Sequence, residues 1–222
     1  MNTKLRSFAG LATGLALQLC LAAGANPLVT TVTGGASPDV VIPDNSLNGV
    51  ASTVELTPTF SAITGVTVTL DISGAPYAYD GDYYAYLQYG STLVTLMSNP
   101  GTSVQNPYGS PNNGMTVTFT DAAVTSINAA TAANYAPLNG FYAPATPLGA
   151  FDGVIPISGY NRLWTLFIAD TSPGGVGQLT SWDLSVTGVP DNTSTFALLA
   201  MGLGILGLIT MRKPATLPIS RN

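Results

Sequence analysis

LWTLFIADTSPGGVGQLTSWDLSVTG, residues 163–188, decides the fold. In its first half Trp164, Leu166 and Ile168 fall on one side of an extended chain. In its second half Trp182, Leu184 and Val186 do the same. A period of two in aromatic and β-branched residues is the signature of half-buried strands. The TSPGGVGQ between them is turn chemistry, rich in residues that accept a reversed or left-handed backbone.

The same alternation spreads outward. VTVTLDIS, residues 66–73, sets Val66, Val68, Leu70 and Ile72 against Thr67, Thr69 and Asp71, and MTVTFTD, residues 115–121, sets Met115, Val117 and Phe119 against three threonines. SNPGTS and NPYGSPNNG separate these runs as further turns and loops. A helical period is nearly absent, and residues 121–134 (DAAVTSINAATAAN) are the one stretch with room for a short helix or turn. Many strands with turn-rich joints and no internal repeat predict an all-β chain, a β-sandwich of jelly-roll type, over residues 38–188. Residues 26–37 read as a linker or an initial strand.

Both ends carry a different pattern. Lys4 and Arg6 precede an apolar run over residues 8–23, and Ala23-Gly24-Ala25 is small at both positions that a signal peptidase reads. Residues 1–25 therefore read as a secretory signal peptide with an apolar helix, cut between Ala25 and Asn26. An uncleaved N-terminal membrane helix is the competing reading, and the run is short for it. Cys20, the single cysteine, lies inside this segment after Leu19, where a lipidation signal wants a small residue. The mature chain then has no thiol and no disulfide.

At the other end Val189-Pro190-Asp191 leads through Thr193-Ser194-Thr195 into an uncharged run over residues 195–211, closed by Arg212 and Lys213. At about 1.5 Å per residue that run is marginal against a hydrocarbon core of about 30 Å. The two cations favour a cytoplasmic end. An ordinary membrane anchor or a buried helix would share the apolar run. The order of motif, spacer, run and basic pair resembles a PEP-CTERM-type sorting signal in its VPD variant. That resemblance implies a transmembrane helix within residues 189–214, a cytoplasmic tail at 215–222, and removal of the tail by an exosortase. Membrane insertion would then be transient. The expected destination is the outer surface or extracellular matrix of a bacterium, reached through the export machinery and signal peptidase.

A second resemblance spans residues 38–187. Pro147, Leu148, Phe151 and Gly153, then Trp164, Leu166 and Asp170, then Gly177, Leu179, Trp182 and Leu184 stand in the order seen in the P domain of proprotein convertases. That resemblance implies the β-sandwich which follows the subtilisin-like domain in those enzymes. The chain departs from the pattern before its Gly81-Asp82: GAPYAYDGDYY has no histidine, Tyr83 stands where leucine is usual, and QYGST replaces the usual Ser-Pro-x-Gly-Thr turn.

The residue inventory bounds the chemistry. The chain contains no histidine, and between residues 26 and 188 there is no lysine or cysteine. Serine and cysteine triads, a Ser-Lys dyad and His/Cys zinc sites are thereby excluded. Ten carboxylates in that span face a single Arg162, which disfavours nucleic acid as a partner. Catalysis is not expected, and no catalytic residue is assigned. Asp80-Gly81-Asp82, joined by Asp152 and Asp170, could supply oxygens to calcium, the one cofactor suggested. Asp-Gly is equally a strong hairpin turn. Tyr79, Tyr83, Tyr84 and Tyr86 crowd the same stretch and could stack on an exopolysaccharide, or could simply be strand tyrosines. Three readings of function follow: an exported surface or matrix protein with a non-catalytic binding or structural module; an accessory module docking in trans on a secreted subtilisin-like protease; and, weaker, a glycan-binding or glycan-active protein.

Overall fold

The alternating runs form strands because each can lay one face on a shared core while Thr, Ser and Asp keep the other wet. The computed structural model describes residues 29–58, 60–74, 77–132, 135–156 and 163–190. The signal peptide, Asp191, Arg212, Lys213 and the apolar run between them lie outside these residues. Among the described residues no helix is long and apolar enough to cross a membrane.

Ten strands occur among the described residues: β1 (Thr30–Ala36), β2 (Val40–Val41), β3 (Ser46–Glu55), β4 (Phe60–Ser73), β5 (Tyr83–Tyr89), β6 (Thr92–Ser98), β7 (Met115–Phe119), β8 (Leu138–Tyr142), β9 (Leu163–Asp170) and β10 (Gln178–Pro190). One sheet has the order β1-β10-β4-β7-β8, with β2 beside the start of β10; the other has the order β3-β9-β5-β6. All pairs are antiparallel except β7 with β8. The described part of the chain is all-β, and its sheets remain open.

The stretch 163–188 is not a hairpin. β9 lies in one sheet and β10 in the other, so residues 171–177 carry the chain across between them. The tight hairpin is β5–β6, where Gly90 takes a φ of 57° in a two-residue loop, a conformation suited to glycine. Among the described residues 121–132 there is no α-helix. Their regular part is a 3₁₀ turn at Ile127–Ala129, capped by Ser126. Ile127 and Ala130 are the apolar side chains it buries, too little to hold an amphipathic helix on the core. This segment instead supplies the long crossover that a parallel β7–β8 pair requires.

Between the sheets lies a single apolar cluster. Val68, Leu70 and Ile72 of β4 and Leu179, Trp182 and Leu184 of β10 enter it from one side; Leu87 of β5 and Leu166 and Ile168 of β9 enter from the other. Trp164 stacks on Tyr89 at 4.3 Å and meets Phe151 at 5.0 Å. Trp182 is fully buried, yet its indole N–H donates to Ser52 Oγ at 2.9 Å, so the ring brings no unpaired donor into the core.

β1 pairs with β10 from Thr30↔Gly188 to Ala36↔Trp182, so residues 30–36 are an edge strand, the second of the two readings of that segment. One boundary differs from the sequence reading. β10 continues past Gly188, pairing Val189 with Ala62 and Pro190 with Phe60, and Val189 O accepts from Ser61 Oγ at 3.0 Å. The first two residues of the VPD motif are therefore part of the sheet. At 13 residues, β10 runs from the Asp170 end of the molecule to the end where β1 begins.

Candidate functional site

Asp80-Gly81-Asp82 forms a 3₁₀ turn leading into β5, at the end of the sandwich where β9 finishes. Its backbone is fully engaged. Asp80 N donates to Asn112 O at 2.8 Å, Gly81 N to Ser110 O at 3.0 Å and Asp82 N to Tyr79 O at 3.1 Å. Asp82 O accepts both Thr171 N at 2.8 Å and Thr171 Oγ1 at 2.9 Å, while Asn99 Nδ2 bridges Gly81 O and Thr171 Oγ1. A Cβ at position 81 would stand 2.6 Å from Ser110 N, so glycine is required by the closeness of the neighbouring loop. The turn is thus a node tying residues 99–112 and 171–172 to β5.

The carboxyl groups it carries are held in unusual states. Asp80 is fully buried and neither oxygen has a hydrogen-bond partner. Burial pushes its pKa up to about 9, and the nearby Gly114 and Leu138 amides offset only part of this. Those amides are committed to Ala78 O and Gly114 O. Asp170 is also buried; one oxygen accepts from Ser172 N at 3.2 Å and the other is unpartnered. Burial raises it to about 6, the Ser172 amide opposes the rise, and Asp82 and Asp44 add to it. Asp82 is raised by burial, against the Ser172 hydroxyl and with help from Asp44. Tyr83 points its hydroxyl into the same acidic group without a partner, and burial together with Asp80, Asp170 and Asp82 raises its pKa too. That hydroxyl occupies the space a side chain at Gly177 would need.

Asp80, Asp82 and Asp170 are therefore neighbours, but Asp152 is not among them. It lies at the other end of the sandwich beside Asp121 and Gly149. The four-residue calcium set does not assemble. Among the described residues no three His, Cys, Asp or Glu side chains converge closely enough to hold a metal. The unpartnered oxygens of Asp80 and Asp170 are of the kind calcium takes.

The tyrosines separate by strand parity. Tyr83 and Tyr89 face the core and cannot touch a ligand. Tyr84 and Tyr86 face outward and are half-buried; Tyr86 stacks on Phe167 at 4.8 Å, and Tyr84 meets Tyr86 edge-on at 6.3 Å. Tyr79 reaches a cleft of about 540 Å³ beside the turn, with Asp82, Pro107, Tyr108, Tyr135 and Pro173 among its walls. Tyr108 and Tyr135 are not legible as candidates in the sequence because they stand in loops, where no periodicity reports a side chain's direction. The one clue lay in NPYGSPNNG, an aromatic residue amid turn formers.

No family model matches the chain, and no curated protein matches it. Among solved structures, the crystal structure of the Aeromonas sobria serine protease and the chaperone complex is similar at a TM-score of 0.44 and 13% identity. The similarity covers 74% of this chain and 28% of that one, so the chain spans little more than a quarter of that neighbour's length.

Proposed function

We propose that the chain is an exported, non-catalytic binding module, a divergent P-domain-like jelly roll delivered to the cell surface or matrix by its VPD-type tail. The observation that carries the reading is the cleft beside the Asp80–Asp82 turn: aromatic rings and one carboxylate on loops tied together by Asn106 and Asn112, with no nucleophile–base pair. Glycosidic chemistry needs two carboxyl groups reaching the scissile bond from opposite sides. Asp82 lines the cleft, whereas Asp80 is sealed beneath it and Asp170 is almost as deeply buried.

Delivery rests on Val189-Pro190-Asp191, the uncharged run and Arg212-Lys213, together with the Ala23-Gly24-Ala25 cleavage pattern. Intact-mass measurement on protein from its own cells tests it. The expected chain starts at Asn26 and lacks the segment after the VPD motif; a mass extending to Asn222 refutes processing.

One observation favours docking on a secreted protease in trans. The outer face of β5 and β9 presents Tyr84, Tyr86 and Phe167 as a contiguous aromatic patch, suited to a protein interface. Co-purification with a peptidase, lost in a Tyr86→Ala variant, would establish that reading over the first.

A further inference from the structure

Resting on the reading of the chain as a binding module, we propose that the cleft between Tyr79, Tyr108 and Tyr135 holds a segment of neutral polysaccharide. Its sugar rings lie on the tyrosine faces, and its hydroxyls donate to Asp82.

The first argument is preorganisation. Tyr108 is 87% exposed and Tyr135 62% exposed, yet the loops bearing them are fastened from below. Asn112 is fully buried and spends its amide on both walls: Nδ2 donates to Ala132 O at 3.0 Å and Ala136 O at 2.7 Å. Its Oδ1 accepts Ala132 N at 2.9 Å and Ser110 Oγ at 2.8 Å. Asn106 Nδ2 likewise ties Gly101 O to Gly109 O across the Tyr108 loop. Tyr135 adopts a φ of 58°, a left-handed conformation that bulky residues rarely take, and Asn113 N donates to its carbonyl at 3.3 Å. Exposed rings on a fixed frame lose little freedom when a ligand settles on them.

The second argument is chemical. The volume suits a short oligomer rather than an ion. Tyrosine offers an apolar face and a hydroxyl at one edge, which matches a pyranose with its C–H face and its rim of hydroxyls. Asp82 lines the cleft as an acceptor, and among the described residues no lysine or arginine does, so a polymer of uronates or sulfated sugars meets repulsion there. A peptide fits less well. Gly109 N and Ser110 N are already bonded to Asn106 O and Pro100 O, and Pro107 and Pro173 have no N–H, so the walls offer few backbone partners to a second chain.

Affinity electrophoresis of the full chain through gels containing β-glucan, galactomannan or alginate tests the proposal. Retardation is expected in at least one neutral gel and not in alginate. Tyr108→Ala and Tyr135→Ala should each weaken it about fivefold to tenfold; Tyr84→Ala, on the outer sheet face, should leave it unchanged. Retardation that survives the Tyr108→Ala/Tyr135→Ala double variant overturns the site, and retardation in alginate alone overturns the ligand class. Absence of retardation in all three gels overturns the proposal. Binding to a secreted protein in that event would leave the module reading standing, and binding to nothing in the cell's own matrix would remove both.

Discussion

Asp121 and Asp80 lie at opposite ends of the same sandwich and are held in opposite ways. Asp121 follows β7 on the surface, where its two oxygens accept Leu148 N at 2.8 Å and Gly149 N at 2.7 Å, closing the first turn of a 3₁₀ segment. Asp80 precedes β5 in the interior, and neither of its oxygens accepts anything. The first carboxylate is a structural clamp whose charge is compensated by two amides. The second is retained with no bond that would explain it, next to two further acids and beneath an open cleft. Satisfied polar groups at one end and orphaned ones at the other distinguish a region shaped by stability from a region where something else is asked of the chain.

The largest expected effect tests that contrast through pH. Asp80 keeps its proton in the folded chain up to about pH 9, whereas in the unfolded chain it loses it near 3.8. Across that window the folded state holds the extra proton, so its stabilisation is complete below about pH 4 and is lost as pH rises to about 9. Each pH unit removes about 1.4 kcal/mol. Asp170 adds a like slope between its ordinary value and about 6. Denaturant melts between pH 5 and pH 9 should show stability falling by on the order of 5 kcal/mol, and Asp80→Asn should flatten most of it. An unchanged slope in that variant would place the titrating group elsewhere.

A smaller effect is expected from Asn112→Ala, which strips a buried amide from four partners and leaves carbonyls unpaired. The cost should be about 2–4 kcal/mol. Hydrogen exchange should rise in residues 106–114 and 135–137 while the core of β4 and β10 stays protected; a uniform rise throughout would contradict a local clamp. At the other end Asp121→Ala should cost about 1–2 kcal/mol, the scale of a lost helix cap. It should leave the pH slope of the Asp80 end intact, which a pair of melts at pH 5 and pH 9 would check.

The smallest expected effect is from calcium. With no three acids converging among the described residues, millimolar calcium or a chelator should leave the melting temperature unchanged. A rise that Asp82→Asn abolishes would show that Asp80, Asp82 and Asp170 close around a cation after all, since a ligand at 100 times its Kd adds about 2.7 kcal/mol.

Much of the architecture was legible because burial on one face forces a period of two. β4, β7, β9 and β10 could be read from Val68, Phe119, Trp164 and Trp182 and their alternate neighbours. The same rule applied to β5 would have divided its tyrosines: Ala85 and Leu87 share Tyr83's parity and mark it as inward, which leaves Tyr84 and Tyr86 outside. Loops carry no such rule. Asp80 and Asp170 meet because β5 and β9 are neighbours, a pairing that no local pattern encodes. Asp152 and Asp121 meet because a long crossover returns β8 beside β7. Tyr108 and Tyr135 form one cleft through Asn112 and Asn113, whose reach across the loops is invisible in their neighbours along the chain.

The course of β10 has a mechanical consequence. Its first residues lie beside the loop that walls the cleft, its last are Val189 and Pro190, and between them it is hydrogen-bonded to β1 on one side and β4 on the other. At about 3.3 Å per residue the strand spans roughly 40 Å. A load applied at the cleft against a hold beyond Pro190 would travel along this strand. The ladders to β1 and β4 would then be loaded in shear, many bonds sharing the force at once, instead of peeling open one bond at a time.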